Sequence, residues 1–260
     1  MRTFGLAFLC GASLLACTSD NNTTPGDDEL AGEHDDGEQA KADGVDTFGL
    51  MTAVKVGKYE CNGLGSCTHV DLARAGRTTT KCADDTMKDS CSVRYLDFSA
   101  MHMTSGQLSD VSSKLEASAN SGTANLIVRG SYVHGTNPVY PGQDWVTFKV
   151  SEVWTAQMDD GSISGTSVMI TDNGTRCFEP PCAADRETRL NSTRFVDIDG
   201  LDWPAPYDKL ITSPGYLPNR VSSAISNGTG AIVFGDRTHG QIMHLPSTLR
   251  SVEQVFLKVK

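Results

Sequence analysis

Six cysteines and two histidines carry most of the chemistry that this 260-residue chain could offer. Cys61, Cys67, Cys82, Cys91, Cys177 and Cys182 are even in number and closely spaced, and they follow an apolar leader at 4–16 of secretory length. In an oxidising compartment that pattern reads as three disulfides, although six cysteines allow fifteen pairings. Zinc is the rival. Closed zinc sites want gaps of about two to four residues within two cysteine pairs, whereas the gaps here are five, eight and four residues. His134 and His239 each precede a glycine. Imidazole serves as a metal ligand or as an acid or base near neutrality, so the two histidines are candidate metal ligands, with Asp236 and His244 close to the second. The competing reading is a His-Gly turn used twice, and on it no metal or cofactor is expected.

Other chemistries find less support. Gly161-Ser162-Ile163-Ser164-Gly165 has isoleucine where a nucleophile elbow needs serine. Neither a glycine-rich phosphate cradle nor a His-Glu-x-x-His pattern occurs. Asp97 and Asp202 stand in similar contexts, and each is expected to bond backbone amides at a turn rather than to form a catalytic carboxylate pair. Phe178-Glu179-Pro180-Pro181, framed by Cys177 and Cys182, is a rigid segment that could dock in a partner's groove as an inhibitor loop does.

These residues sit within an internal repeat. Leu96-Asp97-Phe98 recurs as Leu201-Asp202-Trp203, and Gly130 to Gly135 recurs as Gly235 to Gly240, both displaced by 105 positions. Val111-Ser112-Ser113 recurs as Val221-Ser222-Ser223 at a shift of 110. Cys61 and Cys67 then fall opposite Cys177 and Cys182. If the copies close alike, the pairs are Cys61 with Cys67, Cys82 with Cys91, and Cys177 with Cys182.

Helical spacing of Leu108, Val111 and Leu115 begins at Ser105, taken as the cap, and stops at Asn120-Ser121-Gly122. Leu217, Val221, Ala224 and Ile225 form the second helix, with Pro218 in its first turn and Asn227-Gly228 at its end. A short apolar strand follows each helix. Val146, Phe148, Val150, Trp154 and Ala156 occupy alternate positions and are expected on one face of a strand. Residues 168–171 and 175–178 flank Asp172-Asn173-Gly174 and read as a hairpin with a tight Asn-Gly turn. The fold expected is α+β, mainly antiparallel sheet, in two tandem repeats of about 105 residues, each with one helix packed on strands. Their boundaries are 47–157 and 158–260.

The net charge of −10 is concentrated ahead of the domain. Residues 18–46 hold ten acids against one base, which leaves −2 for 47–260 once Arg2 is counted with the leader. With almost no large apolar side chain, 18–46 is expected to be a solvated, self-repelling tether. Clustered Lys and Arg are absent, which argues against nucleic acid as a partner. No apolar run reaches the roughly 18 residues of a spanning helix, so a polytopic membrane protein is excluded.

Leu14-Leu15-Ala16-Cys17 resembles the lipobox of bacterial lipoproteins in all four positions. That resemblance implies removal of 1–16 as a signal peptide and diacylglyceryl on Cys17, a membrane anchor strengthened by each buried methylene. Thr18, rather than Asp, follows the cysteine, which under the enteric sorting rule sends the protein to the outer membrane. A second resemblance rests on the run Asn173 to Cys182, on Arg189-Leu190-Asn191-Ser192 and on Val150-Ser151-Glu152-Val153-Trp154. Together these resemble an uncharacterised domain of myxobacterial lipoproteins, and the likeness covers most of 47–260. The first half departs from it, with Leu64-Gly65-Ser66 where a proline is expected before the second cysteine. The resemblance implies an exported, disulfide-containing domain of unknown function and brings no catalytic residues. The function expected is therefore a lipid-anchored envelope protein whose non-enzymatic domain binds or scaffolds an envelope protein or ligand. The alternatives are a metal-dependent or carboxylate hydrolase and a protease-inhibitor-like loop binder.

Overall fold

Among the described residues, strands make up about half of the fold and two helices most of the remaining regular structure. The structure is a computed structural model describing residues 49–60, 66–121, 124–136, 144–159, 163, 165–179, 181–209 and 213–259. The leader, Cys17, the tether and Cys61 lie outside the described residues, as does the side chain of Cys67, so the first expected disulfide does too. In chain order come β1 (Leu50–Glu60), β2 (Ser66–Arg74), β3 (Thr80–Lys81), β4 (Met87–Lys88), β5 (Cys91–Val93) and β6 (Leu96–Asp97). Helix α1 (Ser105–Ser121) leads into β7 (Leu126–Thr136), β8 (Asp144–Ala156), β9 (Thr166–Asp172), β10 (Asp185–Arg189), β11 (Phe195–Ile198) and β12 (Gly200–Asp202). Helix α2 (Leu217–Ser226) precedes β13 (Ala231–Gly235), β14 (Arg237–Ile242), β15 (Leu245–Ser251) and β16 (Gln254–Lys258). Among the described residues no helix is long and apolar enough to cross a membrane.

Ten strands join in the order β11-β10-β9-β13-β16-β8-β7-β1-β2-β5, antiparallel at every step, with β6 added in parallel beside β8. The expected α+β, mainly antiparallel architecture is thus observed. β16, the last strand in sequence, sits mid-sheet between β13 and β8, so residues from both sides of position 157 share one sheet. The sheet curls into a half-barrel. One face carries Leu50, Ile127, Trp154, Met169, Ile232 and Phe256 in a single buried cluster. The opposite face is covered by the helices. Val111 and Leu115 of α1 pack with Leu126, Val128 and Phe148, and Leu217, Val221 and Ile225 of α2 pack with Val168, Ala231 and Val233.

Helix followed by strand is therefore seen in both halves, but what comes next differs. β7 continues through His134 and Gly135. β13 stops at Gly235, and the matched segment enters a second sheet of order β12-β15-β14. A Cβ at Gly235 would lie 2.0 Å from the Ser251 carbonyl oxygen, so only glycine permits this close crossing. The first half makes the same kind of crossing, a Cβ at Gly130 falling 2.1 Å from the Lys149 carbonyl oxygen.

Three local expectations are corrected. The α1 cap is Thr104, not Ser105: Gln107 N–H donates to Thr104 Oγ1 at 3.3 Å while Thr104 N–H donates to Gln107 Oε1 at 2.9 Å. This reciprocal box satisfies two donors at once, which a lone serine one residue later cannot do. In β8, Val150 pairs with Gly130 but Glu152 pairs with Arg129, leaving Ser151 as a bulge. The extra residue inverts the alternation. Phe148 and Val150 face α1, whereas Trp154 and Ala156 turn to the other face. The return strand of the expected hairpin is β10, beginning at Asp185 rather than Thr175. Gly174 has φ +81° while Asn173 has no positive φ, so the paired positive angles of the tight turn are missing. Asn173 instead clamps a wider loop, its Nδ2 donating to the Ala183 carbonyl at 2.7 Å and its N–H to Ala184 at 2.9 Å.

Two of the expected disulfides are formed. Cys82 bonds Cys91 with Cα atoms 5.4 Å apart, and Cys177 bonds Cys182 at 5.8 Å. Cys82 and Cys91 are buried where the β3–β4 ribbon returns to the sheet edge. Replacing both by serine is expected to lower stability by about 2 to 3 kcal/mol, the loop-closure value for so short a span, with urea denaturation as the measurement.

Candidate functional site

β9 and β10 end at a pair of aspartates. Asp172 and Asp185 are cross-strand partners in the ladder, so both side chains emerge on the face that α2 covers. Asp172 is held by its own loop. Arg176 donates from Nη1 to Oδ1 at 2.8 Å and from Nη2 to Oδ2 at 2.6 Å, and the Gly174 N–H donates to Oδ1 at 2.8 Å. The Arg176 hydrogen bonds first, then the Gly174 amide, draw the Asp172 carboxyl down to about 2. Arg176 precedes Cys177, so the Cys177 to Cys182 bridge and the Asn173 clamp anchor the loop that delivers the guanidinium.

Asp185 has the opposite environment. Burial, and after it the like charge of Asp172, pushes its carboxyl up to about 6. It opens onto a cleft of 390 Å³ between the strand ends and α2, walled by Leu201, Trp203, Pro218, Val221 and Ile225. Leu201 and Trp203 are brought there by β12, which pairs in parallel with β15 and is tied by Val252 N–H donating to the Asp202 carbonyl at 2.9 Å. Behind Trp203 the rings continue, Tyr207 at 6.3 Å and Tyr216 a further 6.3 Å on.

The cleft keeps its shape through a buried ion cluster. Glu187, two residues beyond Asp185 on the same face of β10, is 2% exposed. Arg250, also 2% exposed, donates from Nε to Glu187 Oε2 at 2.8 Å and from Nη1 to the Gly235 carbonyl at 2.7 Å. Arg237 donates from Nε to the other carboxylate oxygen at 2.8 Å. The second sheet is thereby bolted to β10, and with it the position of β12.

A family described as a domain of unknown function, DUF6748, matches residues 65–242. The chain belongs to that family. The match spans β9, β10, α2 and Trp203, so the cleft lies within the DUF6748 domain. No curated protein and no solved structure matches the chain.

The histidines singled out from the DUF6748 sequence lie apart in the topology. His134 is exposed on β7 of the large sheet, its Nε2 3.3 Å from the Ala83 carbonyl oxygen, and His239 is exposed on β14 of the second sheet, opposite Thr248. Among the described residues no three His, Cys, Asp or Glu side chains group as a metal-binding set. Asp97 accepts the Ser99 N–H at 2.9 Å, the turn bond expected of it. Asp97 and Asp202 belong to different sheets. Phe178 is wholly exposed in the disulfide loop.

The site residues Asp172, Arg176 and Asp185 escaped the sequence reading. The signal was the alternation of acids at Asp185 and Glu187 in a segment with no apolar residue, a pattern for a strand whose buried face is charged. Because the Asp185 carboxyl holds its proton more tightly folded than unfolded, stability present below about pH 4 is lost as pH rises through about 6. Asp185→Asn is expected to remove that loss, on the order of 1 to 2 kcal/mol after screening through the open cleft. Urea denaturation of both proteins at pH 4 and pH 7.5 measures it: the advantage of the variant grows with pH.

Proposed function

We propose that this chain is a lipid-anchored protein of the bacterial cell envelope, tethered to the outer membrane through Cys17. Its DUF6748 domain serves as a non-enzymatic binding module with the α2 cleft as its ligand site. The lipobox-like run before Cys17, the acidic tether and the likeness to myxobacterial lipoproteins support the anchored part. The observation that carries the binding part is the 390 Å³ cleft, in which a carboxyl, two serines and a tryptophan line one hollow of mixed polar and apolar character, of the size small ligands fill. Labelling with a palmitate analogue tests the anchor: wild type takes up label and Cys17→Ala does not, while equal label in both would overturn it. A thermal-shift screen of the ectodomain against small metabolites tests the site. The expected hits raise the melting temperature of wild type and leave Trp203→Ala unmoved; hits indifferent to Trp203 would place binding elsewhere.

A second reading, carboxylate hydrolysis, is favoured by the separation of Asp172 and Asp185 to about 2 and about 6, the division of labour between an ionised and a protonated acid. Turnover of nitrophenyl glycosides that disappears in Asp185→Asn would support it.

A further inference from the structure

On β10 the same strand face carries two acids with opposite fates. Glu187 is neutralised by Arg237 and Arg250. Asp185 takes no salt bridge among the described residues, because the one guanidinium lining its cleft, Arg176, forms a forked pair with Asp172. The charged groups around Asp185 are thus Asp172 from β9 and Arg176 from the loop. α2 contributes only Ser222 and Ser226 as polar lining, and the β12 side contributes Leu201 and Trp203. Two carboxylates against one guanidinium leave the hollow one positive charge short.

The wall opposite is suited to supply the rest of a binding site. Trp203 begins the run of three rings, and an indole face attracts a cation through its quadrupole. A half-buried carboxylate beside an aromatic and aliphatic wall is complementary to an ammonium group on an apolar body. A neutral or anionic molecule would leave Asp185 uncompensated.

Resting on the binding reading above, we propose that the α2 cleft takes a small organic ammonium ion, whose N–H groups donate to Asp185 and whose apolar body lies against Trp203 and Leu201. The ammonium replaces the missing protein cation, as Arg237 and Arg250 serve Glu187.

The test is calorimetric titration of the folded ectodomain with 2-phenylethylamine, alongside 2-phenylethanol and phenylacetate as neutral and anionic matches. At pH 7.5 the amine is expected to bind at least ten-fold more tightly than either match. Its affinity should fall about ten-fold at pH 5, where Asp185 is mostly protonated and the amine is still charged. Asp185→Asn should lose at least ten-fold at pH 7.5 and abolish the pH dependence, and Trp203→Ala should weaken binding at both pH values. Circular dichroism confirms that each variant is folded. Equal binding of amine and alcohol, lost in Trp203→Ala, would overturn the ammonium assignment while keeping the cleft as a ligand site. Amine binding unaffected by either variant, or no binding by any of the three probes, would overturn both.

Discussion

Replacing Glu187 by alanine is expected to destabilise the domain by about 3 to 5 kcal/mol, the usual result of removing one partner from a buried ion pair. The cost comes from what remains. Arg250 is 2% exposed, and without Glu187 its Nε and Nη2 keep their charge with no carboxylate to receive them, while Nη1 stays on the Gly235 carbonyl. Arg237, 42% exposed at its side chain, can turn to solvent and contributes less. The double variant Glu187→Leu with Arg250→Met is therefore expected to recover most of the loss, since an apolar pair of similar volume is tolerated where a lone charge is not. Chemical denaturation of the wild type, Glu187→Leu, Arg250→Met and the double variant closes the cycle, with an expected coupling above about 2 kcal/mol. Additive single losses would show that the cluster does not act as a unit.

The second large effect is expected at Asn191. This residue lies in the turn after β10 yet reaches across the open side of the half-barrel to the β1 end. Its Nδ2 donates to the Leu50 carbonyl at 3.0 Å and to the Ala75 carbonyl at 2.8 Å, and its Oδ1 accepts the Leu50 N–H at 3.3 Å. Arg77 donates to its backbone carbonyl through Nε at 3.1 Å. Asn191→Ala leaves the Leu50 N–H and the Ala75 carbonyl buried without this partner, at about 1 to 3 kcal/mol each. Asn191 also holds φ +54°, a left-handed conformation that asparagine tolerates better than alanine. A loss of about 3 to 5 kcal/mol is expected, read by denaturation. Asn191→Asp should fare no better, because a carboxylate cannot donate to two carbonyls. Faster amide exchange at Leu50 in either variant would locate the opening at the clasp.

What the sequence conveyed and what it hid divide along one physical line. Patterns of apolar residues were readable where burial is apolar: α1, α2 and the strands after them follow from Val111, Leu115, Val221 and Ile225. The bulge at Ser151 defeated the count, because one extra residue moves Trp154 and Ala156 to the other face without changing composition. β10 was invisible for a different reason. Asp185 to Arg189 contains no apolar side chain, and its strand state depends on β9 and on arginines 50 and 63 residues away. Asn191 was noticed only as part of a family-like run; its reach of 141 residues to Leu50 is a property of the curled sheet. The cleft followed the same logic, since Asp172, Asp185, Trp203 and α2 meet only after β12 is placed by its parallel pairing with β15.

Carbon-13 NMR titration of the Asp185 carboxyl tests most directly the claim that the α2 cleft holds an acid which the protein itself leaves uncompensated. A midpoint near 6 is expected in the wild type, falling in Asp172→Asn, where the like charge is gone and Arg176 is released toward Asp185. A midpoint near 4 in the wild type would contradict the account.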